Sequence, residues 1–101
     1  MITLTVRDET TAGEQLATLE LQLAAEVTTV REVIRARVHQ EVRDRARADA
    51  GKQTDVALAA FERGHVLVVV DDRQVETLDE QVTLRPGSVV TFLKLVPLVG
   101  G

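Results

Sequence analysis

The sequence predicts an α+β domain in which a sheet carries one main helix on a face and an extra short helix follows. Apolar and polar residues alternate in two stretches near the N-terminus, and the apolar spacing then changes to three and four residues. Strand-like apolar runs return in the second half of the chain. A chain of 101 residues forms one modest core, so we expect a single domain over 1–101.

The first two predicted strands form an antiparallel hairpin. In 2–8 (ITLTVRD), Ile2, Leu4 and Val6 fall on one face and polar residues on the other. The segment 16–23 (LATLELQL) alternates in the same way, and the residues between the two are rich in Thr and Gly. A polar turn of this composition is typical of a hairpin connection.

A helix is predicted after the hairpin. Thr29 and Glu32 have the spacing of a capping box, in which a threonine hydroxyl accepts from the backbone N–H three residues later. Apolar residues then recur with helical spacing: Val30, Val33, Ile34, Val38 and Val42. These residues define the face that we expect to pack on the sheet.

The polar face of this helix is rich in arginine. From residue 31 to residue 49 there are six Arg against four Asp or Glu, and Arg37–Glu41 and Glu41–Arg45 stand four residues apart. Because opposite charges alternate along this face, we interpret it as a solvated helix surface rather than a nucleic-acid patch.

The middle of the chain is predicted to hold a short helix and a buried strand. Residues 50–53 (AGKQ) indicate a loop, after which Thr54 would cap the helix and Gly64 would end it. The run 65–70 (HVLVVV) is almost continuously β-branched, which is typical of a central strand buried on both faces.

The last third of the chain is predicted to form short strands and turns. Residues 73–75 suit a short return strand, and 85–88 (RPGS) places Pro and Gly as a type II turn requires. A final strand covers 89–96, and Pro97 ends regular pairing. This strand could lie in the middle of the sheet, next to the first strand, if a crossover joins them.

Composition narrows the class of protein. A net charge of −4 argues against nucleic-acid binding, and the lack of cysteine removes disulfides, thiolate metal sites and thiol nucleophiles. The charged, alternating N-terminus does not suit a signal or transit peptide, and no apolar run approaches the ~20 residues of a membrane span. We therefore expect a cytoplasmic protein with no nucleic-acid or membrane partner.

No residue pattern indicates an active site or a metal site. Ser88 falls in a Pro-Gly turn, where a structural role is favoured. His39 and His65 are far apart in sequence, and Asp71-Asp72 between two strands is typical of a turn. The protein is therefore not expected to be an enzyme or to bind a cofactor itself.

The segment LVPLVGG at the end of the chain is the part that the fold does not require. Helix capping does not explain Gly100-Gly101, because a strand and a proline precede them. The four residues after Pro97 can extend about 13 Å beyond the domain, and residues without a Cβ can pass through a narrow channel. Such an arm suits a carboxylate that another enzyme activates, for instance as an acyl adenylate formed from ATP.

The order of elements, and above all the sequence LRPGSVVTFLKLVPLVGG, resembles the β-grasp proteins of the ubiquitin and ThiS/MoaD sulfur-carrier superfamily. The resemblance covers most of the chain and implies a mixed sheet of four to five strands. It also implies an E1-like enzyme that adenylates the Gly101 carboxylate with ATP. The product would become a thiocarboxylate for a sulfur-accepting synthase, or would pass through a thioester to a lysine amine.

By the same resemblance, Gly100 would permit passage through the channel of the E1-like enzyme. The tail and its neighbours would contact that enzyme: Pro97, Leu98 and Val99 as the threaded segment, with Leu95 and Phe92 at a docking surface. The parity of the last strand leaves an alternative open for Phe92, which is core if it points inward.

Three departures or ambiguities qualify the resemblance. Ser88 stands where sulfur carriers often have an acidic residue, and the segment 43–64 is longer and more helical than the family usually has. The tail lacks the arginines of ubiquitin, which favours a sulfur carrier over a protein modifier. A modifier conjugated to target lysines, and a non-covalent β-grasp interaction domain, stay as alternatives; for a modifier, only Lys52 and Lys94 offer side-chain amines for self-linkage.

Overall fold

The computed structural model describes residues 1–44 and 49–96 and confirms the predicted α+β class. The described part contains a five-stranded mixed sheet, a small two-stranded sheet and two helices, in a β-grasp-like arrangement. The elements, in chain order, are β1 (Ile2–Thr10), β2 (Gln15–Leu23), β3 (Val27–Thr29), α1 (Val30–Asp44), α2 (Ala50–Glu62), β4 (Val66–Val70), β5 (Arg73–Val75), β6 (Gln81–Thr83) and β7 (Val89–Lys94).

The main sheet has the strand order β2-β1-β7-β4-β5, and β3 pairs with β6 in the small sheet. The last strand, β7, lies in the middle, parallel to β1 and antiparallel to β4, which confirms its predicted place beside the first strand. The strand β4 is not buried on both faces as predicted. Val68 and Val70 are buried, whereas Leu67 and Val69 on the other face are half-buried.

The N-terminal hairpin forms as predicted, with strands slightly longer than the pattern suggested. Ile2, Leu4 and Val6 are buried and belong to the core under the helices. Beyond the expected end of the strand, β1 continues to Thr10, whose N–H donates to the Glu14 carbonyl at 2.8 Å. The two strands of the hairpin therefore pair further toward the turn than the alternation pattern predicted.

The helix α1 begins where the capping box predicted. The Thr29 hydroxyl oxygen accepts a hydrogen bond from the Glu32 N–H at 3.3 Å. This contact satisfies one of the donors that the first turn of a helix leaves without an intrahelical partner. The five apolar residues that defined the predicted inner face are all in the core: Val30, Val33, Ile34, Val38 and Val42.

The prediction for the start of α2 was wrong. The helix begins at Ala50 rather than after Thr54, and its N-cap is Asp49, whose carboxylate accepts from the Lys52 N–H at 3.1 Å. Thr54 lies inside the helix, where its hydroxyl donates to the Ala50 carbonyl at 2.8 Å. A threonine hydroxyl bonded to the carbonyl four residues back is compatible with a helix interior.

The end of α2 was predicted correctly. Gly64 has a φ of +75°, and its N–H donates to the Phe61 carbonyl at 3.0 Å. The His65 N–H donates to the Ala60 carbonyl at 2.9 Å. These two bonds form a Schellman motif, in which a glycine in the left-handed region ends the helix.

The turn before β7 has the predicted type II geometry. Gly87 has a φ of +86°, and the Ser88 N–H donates to the Arg85 carbonyl at 2.9 Å. The Ser88 hydroxyl in turn accepts from the Arg85 N–H at 2.9 Å. Backbone bonds tie this turn to β1, from Gly87 N–H to Thr3 at 3.1 Å and from Thr5 N–H to Ser88 at 2.9 Å.

A second turn closes the same end of the sheet. Asp71 and Asp72, between β4 and β5, have φ values of 45° and 70°, as a two-residue hairpin turn with positive φ requires. Asp71 exchanges two bonds with Val89, accepting from its N–H at 2.8 Å and donating to its carbonyl at 2.9 Å. This end, where Thr3, Asp71 and Ser88 meet, is termed the closed end. The opposite end, where β1 and β7 finish, is termed the open end.

Candidate functional site at the open end of the sheet

The predicted tail residues lie outside the described part of the chain: Pro97, Leu98, Val99, Gly100 and Gly101. The structure describes the two residues that precede them, Leu95 and Val96, which are termed the tail root. Each residue of the root is 45% exposed. The candidate site is therefore the open end of the sheet, where the root leaves β7.

Hydrogen bonds to two neighbouring segments hold the tail root. The Leu95 N–H donates to the His65 carbonyl at 3.1 Å, and the Val96 N–H donates to the Thr11 hydroxyl at 2.9 Å. The Thr11 N–H donates to the Lys94 carbonyl at 2.9 Å. The root is thus held between the β1–β2 loop and the start of β4.

The structure resolves the two readings of Phe92 in favour of the core. Phe92 is 8% exposed and belongs to the face of the sheet that packs under the helices. Leu93, its neighbour, lies on the outer face of the sheet beside Leu67, its cross-strand partner in β4, and both are half-buried. The two residues of the predicted docking pair therefore differ in exposure: Phe92 is buried under the helices, whereas Leu95, just beyond the end of β7, is 45% exposed.

An apolar surface on the outer face leads to the tail root. Leu67 and Val69 in β4 and Leu93 in β7 are half-buried, and the exposed Leu95 lies two residues after Leu93, just beyond the end of β7. Sequence reasoning named Leu95 but missed Leu93 and Leu67. Val90 and Phe92 point to the buried face of β7, so Leu93 points to the outer face. The sequence alone does not show which of these two alternating sets is buried.

On the other face of the sheet, a cleft opens between the strands and the two helices. This helix-side cleft has a volume of about 590 Å³. Its walls include Leu16 and Ala17 from β2, Val56 from α2, and Phe92 and Lys94 from β7. The volume is in the range of sites that hold small molecules or apolar peptide side chains.

A β-bulge places Leu16 on the rim of this cleft. The pairing of β1 with β2 shifts between Asp8–Ala17 and Glu9–Gln15, which leaves Leu16 without a cross-strand partner. A bulge of this kind rotates a side chain away from the face that simple alternation assigns to it. Leu16 is 45% exposed, and it faces the cleft together with Ala17.

A buried ion pair forms part of the cleft wall. The Arg37 guanidinium donates to both carboxylate oxygens of Asp8, at 2.7 and 2.5 Å, and the two side chains are 14% and 12% exposed. The guanidinium carbon lies 5.0 Å from the centroid of the Phe92 ring, within the range of a cation–π contact. The Arg37 Nε is buried and has no hydrogen-bond partner.

The solvated-face interpretation of α1 was wrong at Arg37. The predicted pair with Glu41 is present at 3.6 Å, but the shorter contacts of Arg37 are with Asp8 across the sheet. Its residue spacing from Ile34 and Val38 places it at the edge of the apolar face. The signal that was missed is Asp8 itself, which continues the inward series of Ile2, Leu4 and Val6 in β1 and so needs a buried partner. The other predicted pair, Glu41–Arg45, involves a residue outside the described ranges.

The isolated polar candidates of the sequence do not meet at the open end. His39 and His65 are both exposed. Ser88 is buried in the turn at the closed end, and Asp71 also lies there. Within residues 1–44 and 49–96, no group of three His, Asp or Glu side chains is arranged to hold a metal ion.

Two further observations bear on the class of protein. In the part of the chain that the structure covers, neither helix has the length and apolar composition needed to cross a membrane. No family model matches this sequence, and no curated protein matches it. The case for a function therefore depends on the sequence of the tail and the geometry of the open end.

Proposed function

We propose that this protein is a sulfur carrier of the ubiquitin-like, ThiS/MoaD type. Its Gly101 carboxylate is the substrate of an E1-like adenylating enzyme. The observation that carries the proposal is an apolar, arginine-free tail with two glycines, which follows directly on a central strand parallel to β1. The proposal requires Gly101 to be the C-terminal residue of the mature protein, whether encoded or exposed by processing.

The chemistry takes place on the carboxylate and is supplied by the partner enzyme. A carboxylate oxygen of Gly101 attacks the α-phosphorus of ATP, and pyrophosphate leaves. Hydrosulfide or an equivalent sulfur nucleophile then attacks the acyl carbon, and AMP leaves with the oxygen that joined it to the acyl group. The resulting thiocarboxylate donates its sulfur to a synthase, so this protein is a co-substrate and not the catalyst.

The open end provides what such a partner would need in order to recognise the protein. Leu95 and Val96 are about half exposed, and Leu67 and Leu93 extend this apolar surface over the outer face of the sheet. Hydrogen bonds from the root to His65 and Thr11 fix the base of the arm. A fixed base with apolar neighbours supports docking of the domain while the carboxylate reaches a reactive centre.

The experiment is co-expression of the protein with an E1-like enzyme and a sulfur donor, followed by intact-mass measurement. We expect a species in which one oxygen is replaced by sulfur at the C-terminus, and its absence in a variant that lacks Gly100-Gly101. The matched control for docking is a pair of substitutions, Val96→Asp at the tail root and Val27→Asp on β3. Both valines are exposed, but only Val96 lies at the open end. Thiocarboxylate formation should fall in Val96→Asp alone, and equal yields in both variants would contradict docking at the tail root.

The second candidate is a protein modifier whose Gly101 acyl group passes to lysine amines of target proteins. The observation that favours it is α2, a helix of 13 residues that adds exposed surface for further partners, including Val56, which is 60% exposed. Under this alternative, cells contain adducts of higher mass that disappear when Gly100-Gly101 is deleted. If no adducts form while the thiocarboxylate does, the modifier is excluded.

The third candidate is a non-covalent interaction domain, and the helix-side cleft favours it. An apolar cleft of about 590 Å³ is a binding site that needs no activated carboxylate. This function predicts that deletion of Gly100-Gly101 leaves partner binding unchanged. The same deletion therefore separates it from both covalent functions.

A further inference from the structure

We propose that the helix-side cleft is a docking site for the apolar part of the protein's own tail, Leu98 and Val99. The domain would then exist in a tail-docked state and a tail-free state. This inference does not depend on the chemistry proposed for Gly101, since it concerns only where the tail rests when no partner holds it.

Two of the apolar side chains that line the cleft are exposed to solvent. Leu16 on β2 and Val56 on α2 both line the cleft and are 45% and 60% exposed. The bulge in β2 turns Leu16 toward the cleft instead of leaving it on the outer face. Two exposed aliphatic side chains in the lining of one cleft favour an apolar occupant, because its burial removes apolar surface from water.

The tail root follows directly on residues of β7 that line the cleft. Phe92 and Lys94, near the end of β7, line the cleft, and Val96 follows Lys94 by two residues. The Val96 N–H is bonded to Thr11 in the loop that leads into β2, which is the strand that carries Leu16. The root therefore lies beside the mouth of the cleft.

The apolar residues of the tail follow the root closely in sequence. Val99 is three residues beyond Val96 and can extend roughly 10 Å from it. Pro97 disfavours continued strand pairing, because it lacks a backbone N–H and has a fixed φ. A chain that continues from the tail root and no longer pairs as a strand at Pro97 can bring Leu98 and Val99 to the cleft.

The buried charges in the cleft wall are already paired with each other. The interior charges of the cleft wall, Asp8 and Arg37, neutralise each other through two hydrogen bonds. A neutral, apolar segment therefore suits this part of the cleft, because a charge buried beside a pair that is already neutral would carry a desolvation cost. Residues 97–100 (PLVG) carry no charged side chain.

Docking of the tail would regulate access to it. An enzyme that threads the tail binds only the tail-free state, so its apparent dissociation constant rises as the free fraction falls. Substitutions that empty the cleft would thus make the tail more accessible without touching the glycines.

The experiment uses paramagnetic relaxation enhancement in the full chain. The sequence has no cysteine, so Gly101→Cys provides a single position for a nitroxide label. We expect broadening of the methyl resonances of Leu16 and Val56, and little at Val27. A label on a freely moving tail would also broaden nearby methyls, so the decisive comparison is between variants.

Two substitutions test the contacts from opposite sides. Leu98→Asp changes the tail, and Val56→Asp changes the cleft wall at an exposed position that the core does not need. Each should remove most of the broadening at Leu16. The control Val27→Asp, on a valine that is 56% exposed, should leave the broadening unchanged. Amide spectra of every variant report whether the fold is retained.

Two results would overturn the proposal. Equal broadening at Leu16 in the parent, Leu98→Asp and Val56→Asp proteins would show that the tail does not enter the cleft. Broadening that appears only when spin-labelled protein is mixed with isotope-labelled, unlabelled-tail protein would show that the occupant is the tail of a second copy.

Discussion

The turns at the closed end and the surface around the tail root at the open end differ in how their apolar side chains are covered. At the closed end, Leu84 and Val90 are completely buried, and the turns around them are bonded to the strands through Gly87, Ser88 and Asp71. At the open end, aliphatic side chains are about half exposed on the hairpin, the second helix and the tail root: Leu16, Val56, Leu95 and Val96.

This difference indicates a division of roles along one sheet. Buried side chains and satisfied backbone groups account for stability at the closed end. Exposed aliphatic side chains add little to the stability of an isolated domain, and when they cluster they mark a surface that something covers. The Asp8–Arg37 pair stands between the two regions, with core residues on one side and the cleft on the other.

The largest effect is expected from breaking that ion pair. Asp8→Ala should lower the free energy of unfolding by about 3–5 kcal/mol, because it leaves the Arg37 charge buried without its partner. Urea denaturation followed by far-UV circular dichroism measures the loss, and this probe suits a chain without Trp or Tyr.

The double variant Asp8→Val, Arg37→Met distinguishes the contribution of the ion pair from the cost of an unpaired buried charge. Replacement of both charges by apolar side chains removes the desolvation penalty, so most of the lost stability should return. A double variant as unstable as Asp8→Ala would show that the pair itself, rather than the unpaired charge, holds the open end together.

A matched pair of leucines compares the two ends directly. Leu84→Ala at the closed end should cost about 3 kcal/mol, because it leaves a cavity around a residue that is 0% exposed. Leu16→Ala at the open end removes the same atoms from a residue that is 45% exposed, and it should cost less than about 0.5 kcal/mol. Comparable losses in urea denaturation would mean that the open end is as well packed as the closed end, which would also remove the basis for a docking site there.

Much of the fold was predictable because its signals are local. The alternation in β1, the capping box at Thr29 and the turn at Gly87 each depend on a few neighbouring residues, and all three are confirmed. The start of α2 was missed since Gly51 lowers helix propensity and Thr54 resembles a cap. Asp49 was the better cap, five residues earlier, and its carboxylate is the group that satisfies the first turn.

The candidate site was less predictable because its signals are long-range. The inward direction of Phe92 follows from the parallel pairing of β7 with β1, which joins residues more than 80 positions apart in sequence. The position of Leu16 depends on a bulge that breaks alternation by one residue, and no composition rule places such a bulge. The partner of Asp8 lies on α1, at the edge of a face that the charge pattern made look solvated.

Two glycines are expected to give small effects of opposite sign, one in the closed-end turn and one at the start of α2. Gly87 in the closed-end turn has a φ of +86°, and Gly51 lies within the first turn of α2; a Cβ added at either would meet no atom within 4 Å. Packing is therefore equal, and only backbone conformation distinguishes them.

Gly87→Ala should destabilise by about 1 kcal/mol, since an L side chain rarely adopts that φ. Gly51→Ala should stabilise by about 0.4–1 kcal/mol, because alanine restricts the unfolded chain and suits a helix. Thermal and urea denaturation of both variants measure the signs. A loss of stability in Gly51→Ala would indicate that the start of α2 is not helical in solution, and the α2 wall of the helix-side cleft would then have to be reconsidered.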